Sequence, residues 1–468
     1  MTVSGLMTVP LLAALLVWIL KGRLLRTILL SAAAVHTVLT GYVYFKGEES
    51  IVLRGIELGC SVREFGFGVL AITSLLFLLV SLHLCSWLKS DARAGELRGE
   101  SHGMSKHTLV SLLLLFLGTM TLTALAQDFG TLWVAVEATT LASAPLINFH
   151  RSKTSLEAMW KYLLLCSLGI GMALLGTMLL SAALPEGSSL AFDAVKNADP
   201  QWFKAAFVFC FAGYGLKTGL APFHSWLPDA HSEAPAPVSA LLSGSLLNCA
   251  LLGLVNIRDA APEGLTGFCN GFFICFGIIS LLFAAFFIIG QKDFKRMLAY
   301  SSVEHMGLAV LMIGFDCGVL VLLHMAFHSL TKMMLFLTAG NILLAYGTRK
   351  IEAVTGVLTR LPRNGMLWLA GMLLICGTPP SPLFFTELVL VKQAGILWGG
   401  VILLLLLIIF CAMAYVVIKM CMGSAAAAEF PEIDCRAEKL TRIPLLVLML
   451  IIFSGAALMA ETIMRYVQ

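Results

Sequence analysis

Charge is what this sequence has least of. Asp, Glu, Lys and Arg make up only 12% of its residues, half of the roughly 25% found in soluble globular chains. A chain so poor in charge cannot cover a water-facing surface, which excludes an ordinary soluble domain. The net charge is +4, and the basic residues are scattered through short loops rather than gathered in one patch, which argues against a nucleic-acid partner. None of the 12 cysteines forms a CxxC pair, and Cys166, Cys210, Cys249, Cys376 and Cys411 lie inside apolar runs. Buried free thiols are therefore expected, with no metal ligands, cluster or disulfides among them. No dinucleotide fingerprint is present: Gly169, Gly171 and Gly176 sit inside an apolar helix, where close helix packing explains them. No cofactor is assigned. Low-complexity sequence is confined to Ala425–Ala428, a short surface linker.

What the chain has in abundance is apolar sequence: 59% hydrophobic residues and a mean hydropathy of +0.92. The pattern predicts an all-α polytopic membrane protein with about 14 stretches of membrane-spanning length, roughly 20 residues each. The first begins without a basic residue ahead of it and reads as a retained span rather than a signal peptide. The expected organisation is a three-span prefix (1–106), one five-helix repeat (107–257), a second five-helix repeat (267–420), and a linker with a last span (421–468). The stretch from Lys46 to Gly66 is expected on the outer surface, and Leu88 to Lys106 as a polar linker. Of the 31 lysines and arginines, only Lys46, Arg54, Arg63, Lys196, Lys204, Arg258 and Arg465 fall in even-numbered loops or at the C-terminus. Lys217, Lys332 and Lys392 fall in or beside spans, and the remainder belong to odd-numbered loops. The positive-inside rule then places both termini on the outer side.

Two spans are broken at corresponding positions of the two repeats. Span 7 is cut at Pro222, and span 12 at Pro379, Pro380 and Pro382. Each is the fourth helix of its five-helix unit, spans 4–8 and 9–13. Five is odd, so the second unit enters the membrane from the opposite side, the pattern of inverted-repeat transporters.

Ionisable residues gather near these breaks. Lys217 precedes the first, followed by an amphipathic link with His224, Trp226, Asp229, His231 and Glu233. Asp229 and Glu233 are expected to cap helix ends. Glu137 lies mid-span, and an ionised carboxylate there is costly unless paired. Lys217 is its expected partner, and drawing the two apart would let the lysine release its proton. His324, His328 and Lys332 repeat every four residues on one helix face and cover roughly 12 Å of depth, a spacing suited to a water-linked proton relay. Glu387 follows the second break as a terminal acid, with Lys392 five residues later. Glu304 and His305 are expected at the cytoplasmic start of their span, as an access site or a solvated helix start.

The segments KTGLAPFHSWLPDAH and PAPVSALLSG, Glu137, and HMAFHSLTK followed by LFLTAGN resemble the antiporter-like membrane subunits of respiratory complex I. That family includes multisubunit cation/proton antiporters and group 4 membrane-bound hydrogenases, and the resemblance covers essentially all the spans. KYLLLCSLGI, KRMLAYSSVEHMG and HSEAPAP are most similar to the F component of hydrogenase-4 and formate hydrogenlyase-type complexes. The resemblance implies two linked half-channels. Glu137 and Lys217 would form the first pair, His324, His328 and Lys332 the link, and Glu387 the terminal group. Many family members carry a lysine where this chain has Asn248, and an amide cannot titrate.

The implied function is proton translocation, or a sodium-linked variant of it, within a multisubunit redox complex of the prokaryotic inner membrane. Other membrane subunits and peripheral redox subunits would be the partners. A cation/proton antiporter assembly, a non-pumping membrane anchor and an inorganic-carbon uptake subunit are the alternatives.

Overall fold

The computed structural model describes residues 2–21, 24–46, 51–53, 56–58, 64–98, 103–424 and 431–467. Nearly all of them are helical. Hydrocarbon offers no partner to a bare N–H or C=O, so each apolar segment satisfies its backbone internally. The Ala425–Ala428 linker lies outside the described residues, as does most of the expected surface stretch from Lys46 to Gly66.

Helices α1 (Thr2–Ile19), α2 (Leu25–Lys46) and α3 (Glu64–Arg98) come first, with a small antiparallel hairpin of β1 (Ile51–Leu53) and β2 (Ile56–Leu58) before α3. Next are α4 (Lys106–Leu125), α5 (Phe129–Ile147), α6 (Lys153–Ala183) and α7 (Pro200–Thr218). Short α8 (Trp226–Glu233) and α9 (Ala236–Leu241) lead through a π-helical turn, Leu242–Leu246, into α10 (Leu247–Asp259). Then come α11 (Thr266–Ile288), α12 (Phe294–Gly314), α13 (Leu320–Tyr346), α14 (Val357–Arg360) and α15 (Pro362–Ile375). The last are α16 (Pro382–Cys421), α17 (Pro431–Lys439) and α18 (Arg442–Val467).

Among the described residues, 10 helices are long and apolar enough to cross a membrane, fewer than the stretches expected. Two of the expected spans are interrupted. The segment read as span 7 stops at Thr218, where Gly219 turns the backbone left-handed (φ 83°), and helix resumes only at Trp226. Span 12 is likewise split between α15 and the start of α16. The 40 residues of α16 cover the rest of that span and the next, leaving helical angles at Gly395 (φ 74°, ψ 179°). Elsewhere a helix outruns its apolar core: α3 continues to Arg98 through sequence expected to be a polar linker. Arg93 sustains this extension, bonding Glu96 one turn on (3.2 Å) and Glu432 of α17 (3.2 Å). Hydrogen bonds from Arg93 and Arg436 hold the Glu432 carboxyl below its usual value.

The chain divides into two compact units. The first comprises residues 1–81, 103–234 and 245–273. Its closest helix pair is α6 with α7, made possible by glycines. A Cβ on Gly213 would stand 2.6 Å from the Ala173 nitrogen, and one on Gly176 would stand 2.8 Å from the Cys210 nitrogen. Gly169 faces α7 as well, whereas Gly171 looks into open space. A buried polar knot ties α2 to its neighbours: His36 contacts Thr121 on α4 (2.9 Å) and Ser74 on α3 (3.0 Å).

The second unit comprises residues 82–102, 235–244 and 274–468. Gly277 and Gly307 bring α11 against α12, and Gly340 of α13 receives Ala236 of α9. Arg360 locks α17 in place with a fork onto Asp434 (Nε to Oδ2 2.8 Å, Nη2 to Oδ1 3.1 Å), and its guanidinium covers the Tyr346 ring at 4.4 Å. The two side chains are only 10% and 14% exposed, so truncating one leaves the other poorly solvated. Arg360→Ala is expected to cost on the order of 2 kcal/mol, read as a lower thermal midpoint of the detergent-solubilised protein. An unchanged midpoint would show that the α17 clasp contributes nothing.

Candidate functional site

In the first unit the site forms where α5, α6 and α7 meet. Lys217 occupies the last turn of α7 and is fully buried. Two devices hold this helix end open beside the break. The Leu220 N–H donates back to the Gly215 carbonyl (2.9 Å), and the Trp226 indole N–H donates to the Leu216 carbonyl (2.9 Å). Carbonyls that a helix end leaves without partners are thereby satisfied. The Lys217 ammonium donates to the Thr140 hydroxyl (2.8 Å) and the Tyr162 hydroxyl (2.7 Å), and it sits 4.6 Å from the Tyr162 ring centroid. Tyr162 contacts Ser143 on α5 (2.7 Å). Glu137, one helical turn before Thr140, accepts from Ser167 of α6 (2.7 Å).

The direct Glu137–Lys217 pair expected from the sequence is thus not formed. The structure separates the two groups and gives each its own hydroxyl partners. The lysine has three donors and spends two of them on neutral oxygens. Asn248 is buried at the start of α10, directly after the π-helical turn. His224 lies in the break, and His231 is buried within α8. Asp229 and Glu233, expected as helix caps, reach across to α6. Asp229 meets Lys161 at 3.3 Å, and Glu233 accepts from Thr154 at 3.1 Å. They pin the short helix after the break to its neighbour.

In the second unit the site is assembled from α12, α13 and the α15–α16 break. His324, His328 and Lys332 share one face of α13, as the spacing requires, but they do not form one line. His324 turns to His305 of α12 (Nε2 to Nδ1 3.2 Å) and to Thr386 of α16 (Nδ1 to Oγ1 2.8 Å). His305 in turn donates from Nε2 to the Ile375 carbonyl at the end of α15 (2.8 Å). The His328 ring lies 5.0 Å from the His305 ring, centroid to centroid. Lys332 turns to the first half of α12, donating to the Leu298 carbonyl (2.6 Å) and the Ser301 hydroxyl. Among the described residues neither Lys217 nor Lys332 has a carboxylate oxygen within 4.0 Å.

His305 is therefore a hub, and the expectation of a solvated helix start at Glu304 and His305 is overturned. Helix α12 begins at Phe294, capped by Asp293 through the Lys295 and Arg296 N–H groups (2.8 and 3.1 Å). That places both residues deep in the helix, 2% and 0% exposed. Glu387, one residue past Thr386, completes the cluster. Ligand atoms of His305, His324 and Glu387 all lie within 4.8 Å of one another. Lys392 stays outside, exposed on α16.

The hydroxyl partners went unrecognised in the sequence. Thr140, Ser143, Tyr162, Ser167, Ser301 and Thr386 look like ordinary helix residues in apolar runs. A signal for two of them was available: Thr140 follows Glu137 by three residues, and Ser301 precedes His305 by four, so each pair shares a helix face.

Comparison with known proteins agrees with this architecture. The family model described as "NADH:quinone oxidoreductase/Mrp antiporter, TM" matches residues 126–415. A hydrogenase-4 component F homolog from Methylacidiphilum infernorum is 38% identical over 59% of this chain and 60% of its own length. A NADH-quinone oxidoreductase subunit N from Desulforudis audaxviator is 33% identical over 56% of this chain and 54% of its own length. The chain therefore spans between half and two thirds of these curated relatives. Among solved structures, a chain of the membrane-bound sulfane sulfur reductase, an archaeal respiratory membrane complex, has the same fold. Its TM-score is 0.84 at 21% identity, covering 98% of this chain and 95% of that one. The family match spans both breaks and every titratable residue of the two sites, and it leads to one conclusion: this chain belongs to the NADH:quinone oxidoreductase/Mrp antiporter transmembrane family.

Proposed function

We propose that this chain is a proton-translocating, antiporter-like membrane subunit of a multisubunit redox complex such as a membrane-bound hydrogenase. The observation that carries the reading is the state of the two buried lysines. Each is fully buried, and each is held by hydroxyl or carbonyl oxygens rather than by a carboxylate. A structural ion pair would have a counter-ion at contact distance, because a buried charge is costly without one. A lysine surrounded by neutral acceptors can accommodate either protonation state and so can load and release a proton.

In this mechanism Glu137 is the first unit's control. With its carboxylate on Ser167, the lysine lies among hydroxyls and releases its proton. A swing of the carboxylate toward Lys217 holds the proton in place. Thr140, Tyr162 and Ser143 supply the hydroxyl shell through which it moves. In the second unit Lys332, His305, His324 and Thr386 carry the proton toward Glu387 at the second break.

Two five-helix repeats, 107–257 and 267–420, entering the membrane from opposite sides, fit the two interrupted helices, each followed by a short or kinked partner. About fourteen spans, an inner-membrane location and both termini outside follow from the apolar pattern and the distribution of basic residues. Partner membrane subunits and peripheral redox subunits would supply the driving signal. This fits the similarity to a hydrogenase-4 component F homolog.

The test is proton uptake by vesicles holding the purified complex, followed with a pH-sensitive dye while electrons flow. Glu137→Gln is expected to slow proton movement at unchanged complex content. Full proton movement would rule out the carboxylate as the control. A second variant probes the other end. Gly377 has φ 59°, and a Cβ there would fall inside the Glu387 carboxylate. Gly377→Ala is expected to displace Glu387 and lower proton movement several-fold, whereas normal movement would show that Glu387's position is immaterial.

A further inference from the structure

We propose that His305, His324 and Glu387 form a binding site for a divalent transition-metal ion, with zinc the best match, and that the ion occupies the nitrogens the relay uses. Two imidazole nitrogens bound tetrahedrally to one zinc at about 2.0–2.1 Å stand roughly 3.3 Å apart. His305 Nδ1 and His324 Nε2 are 3.2 Å apart. The far nitrogen of each ring already has the kind of partner that orients metal-binding histidines. His305 Nε2 donates to the Ile375 carbonyl, which fixes its proton there and leaves Nδ1 as a lone pair.

His324 has two options, set by one hydroxyl. The Thr386 oxygen lies 2.8 Å from His324 Nδ1 and 2.8 Å from the Leu383 carbonyl. When Thr386 donates to His324, the His324 proton sits on Nε2 and bonds His305. When Thr386 donates to Leu383, it accepts from His324 Nδ1–H. The two near nitrogens then face each other as lone pairs. That arrangement is repulsive when empty and is satisfied by a bridging cation. The metal-ready tautomer thus needs only a hydroxyl rotation and a proton shift, with no change in backbone position. Glu387 is the third donor: one ligand atom from each of the three residues lies within 4.8 Å of the other two, and Gly377 beside the carboxylate has no Cβ to obstruct it. The fourth position is open to water. Imidazole with carboxylate, and no thiolate, suits zinc better than copper(I) or an iron–sulfur cluster.

Opposing charge is near as well. Lys332 bonds Ser301, one turn before His305 on α12, so an ammonium there disfavours the ion, and Lys332→Met is expected to tighten zinc binding. Binding rests on this geometry alone; its effect on proton movement rests on the proposed function.

The test is zinc titration of the purified complex in detergent, with bound metal counted by mass spectrometry and its ligands read by X-ray absorption at the zinc edge. One equivalent is expected with two imidazoles and oxygen donors, lost in His305→Gln and in Glu387→Gln and retained in Glu137→Gln. Thr386→Val keeps all three ligands and removes the orienting hydroxyl, so its affinity is expected to fall roughly tenfold or more. This variant keeps the test decisive if His305→Gln fails to assemble. An equivalent that survives His305→Gln, a sulfur ligand, or unchanged affinity in Thr386→Val would overturn the site. Zinc that binds as described in a complex that moves no protons would contradict the function and leave the site standing.

Discussion

Lys217→Met is expected to stop proton transfer through the first unit while the complex still assembles. Methionine has nearly the volume of the lysine stem and removes a fully buried ammonium, so the packing between α5, α6 and α7 is retained. The groups left behind keep partners: Tyr162 retains Ser143 at 2.7 Å, and Thr140 retains the Val136 carbonyl at 3.4 Å. No carboxylate is stranded, because Glu137 is bonded to Ser167 rather than to the lysine. Stability should therefore be nearly unchanged, as exchange of a buried charge for a well-packed apolar group commonly is. The transfer rate should fall on the order of a hundredfold, the scale of losing one positioned acid–base group. The measurement is dye quenching in vesicles, alongside subunit content on native gels. A variant that fails to assemble would point instead to a structural lysine.

Lys332→Met is the counterpart in the second unit, and the same reasoning predicts normal assembly with little proton movement. Ser301 keeps the Leu298 carbonyl as an acceptor at 3.1 Å, so loss of the ammonium strands no donor. What is lost is the ammonium that joins α13 to Leu298 and Ser301 in the first half of α12. If the chain were a passive anchor, Lys332→Met would reduce the amount of complex in the membrane and leave proton movement per complex intact. The proposed function predicts the reverse.

The parts of this site that could be read from sequence are those the membrane makes costly. Lys217, Glu137, Lys332 and the proline breaks stood out because a charge or an open backbone group in hydrocarbon needs a reason. The spacing of His324, His328 and Lys332 fixed their common face by helix geometry alone. What stayed hidden depends on distances between helices. Nothing in a linear pattern says that Lys217 chooses Thr140 and Tyr162 over Glu137, since that depends on how closely the glycines of α6 and α7 let the helices approach. His305 was misplaced for a different reason. Hydropathy starts the helix after the charged run, whereas the Asp293 cap starts it at Phe294 and carries Lys295 inward to 1% exposure. Capping outweighed the hydropathy boundary there, whereas α3 runs past its apolar core where Arg93 pairs with Glu96 and Glu432.

Proton movement through this subunit depends on Lys217 and Lys332. The most direct measurement is the proton-to-electron ratio of the reconstituted complex, comparing wild type with the double variant Lys217→Met, Lys332→Met. The double variant is expected to form a complex of normal composition whose ratio drops by the share this subunit contributes. An unchanged ratio in the double variant would contradict that dependence.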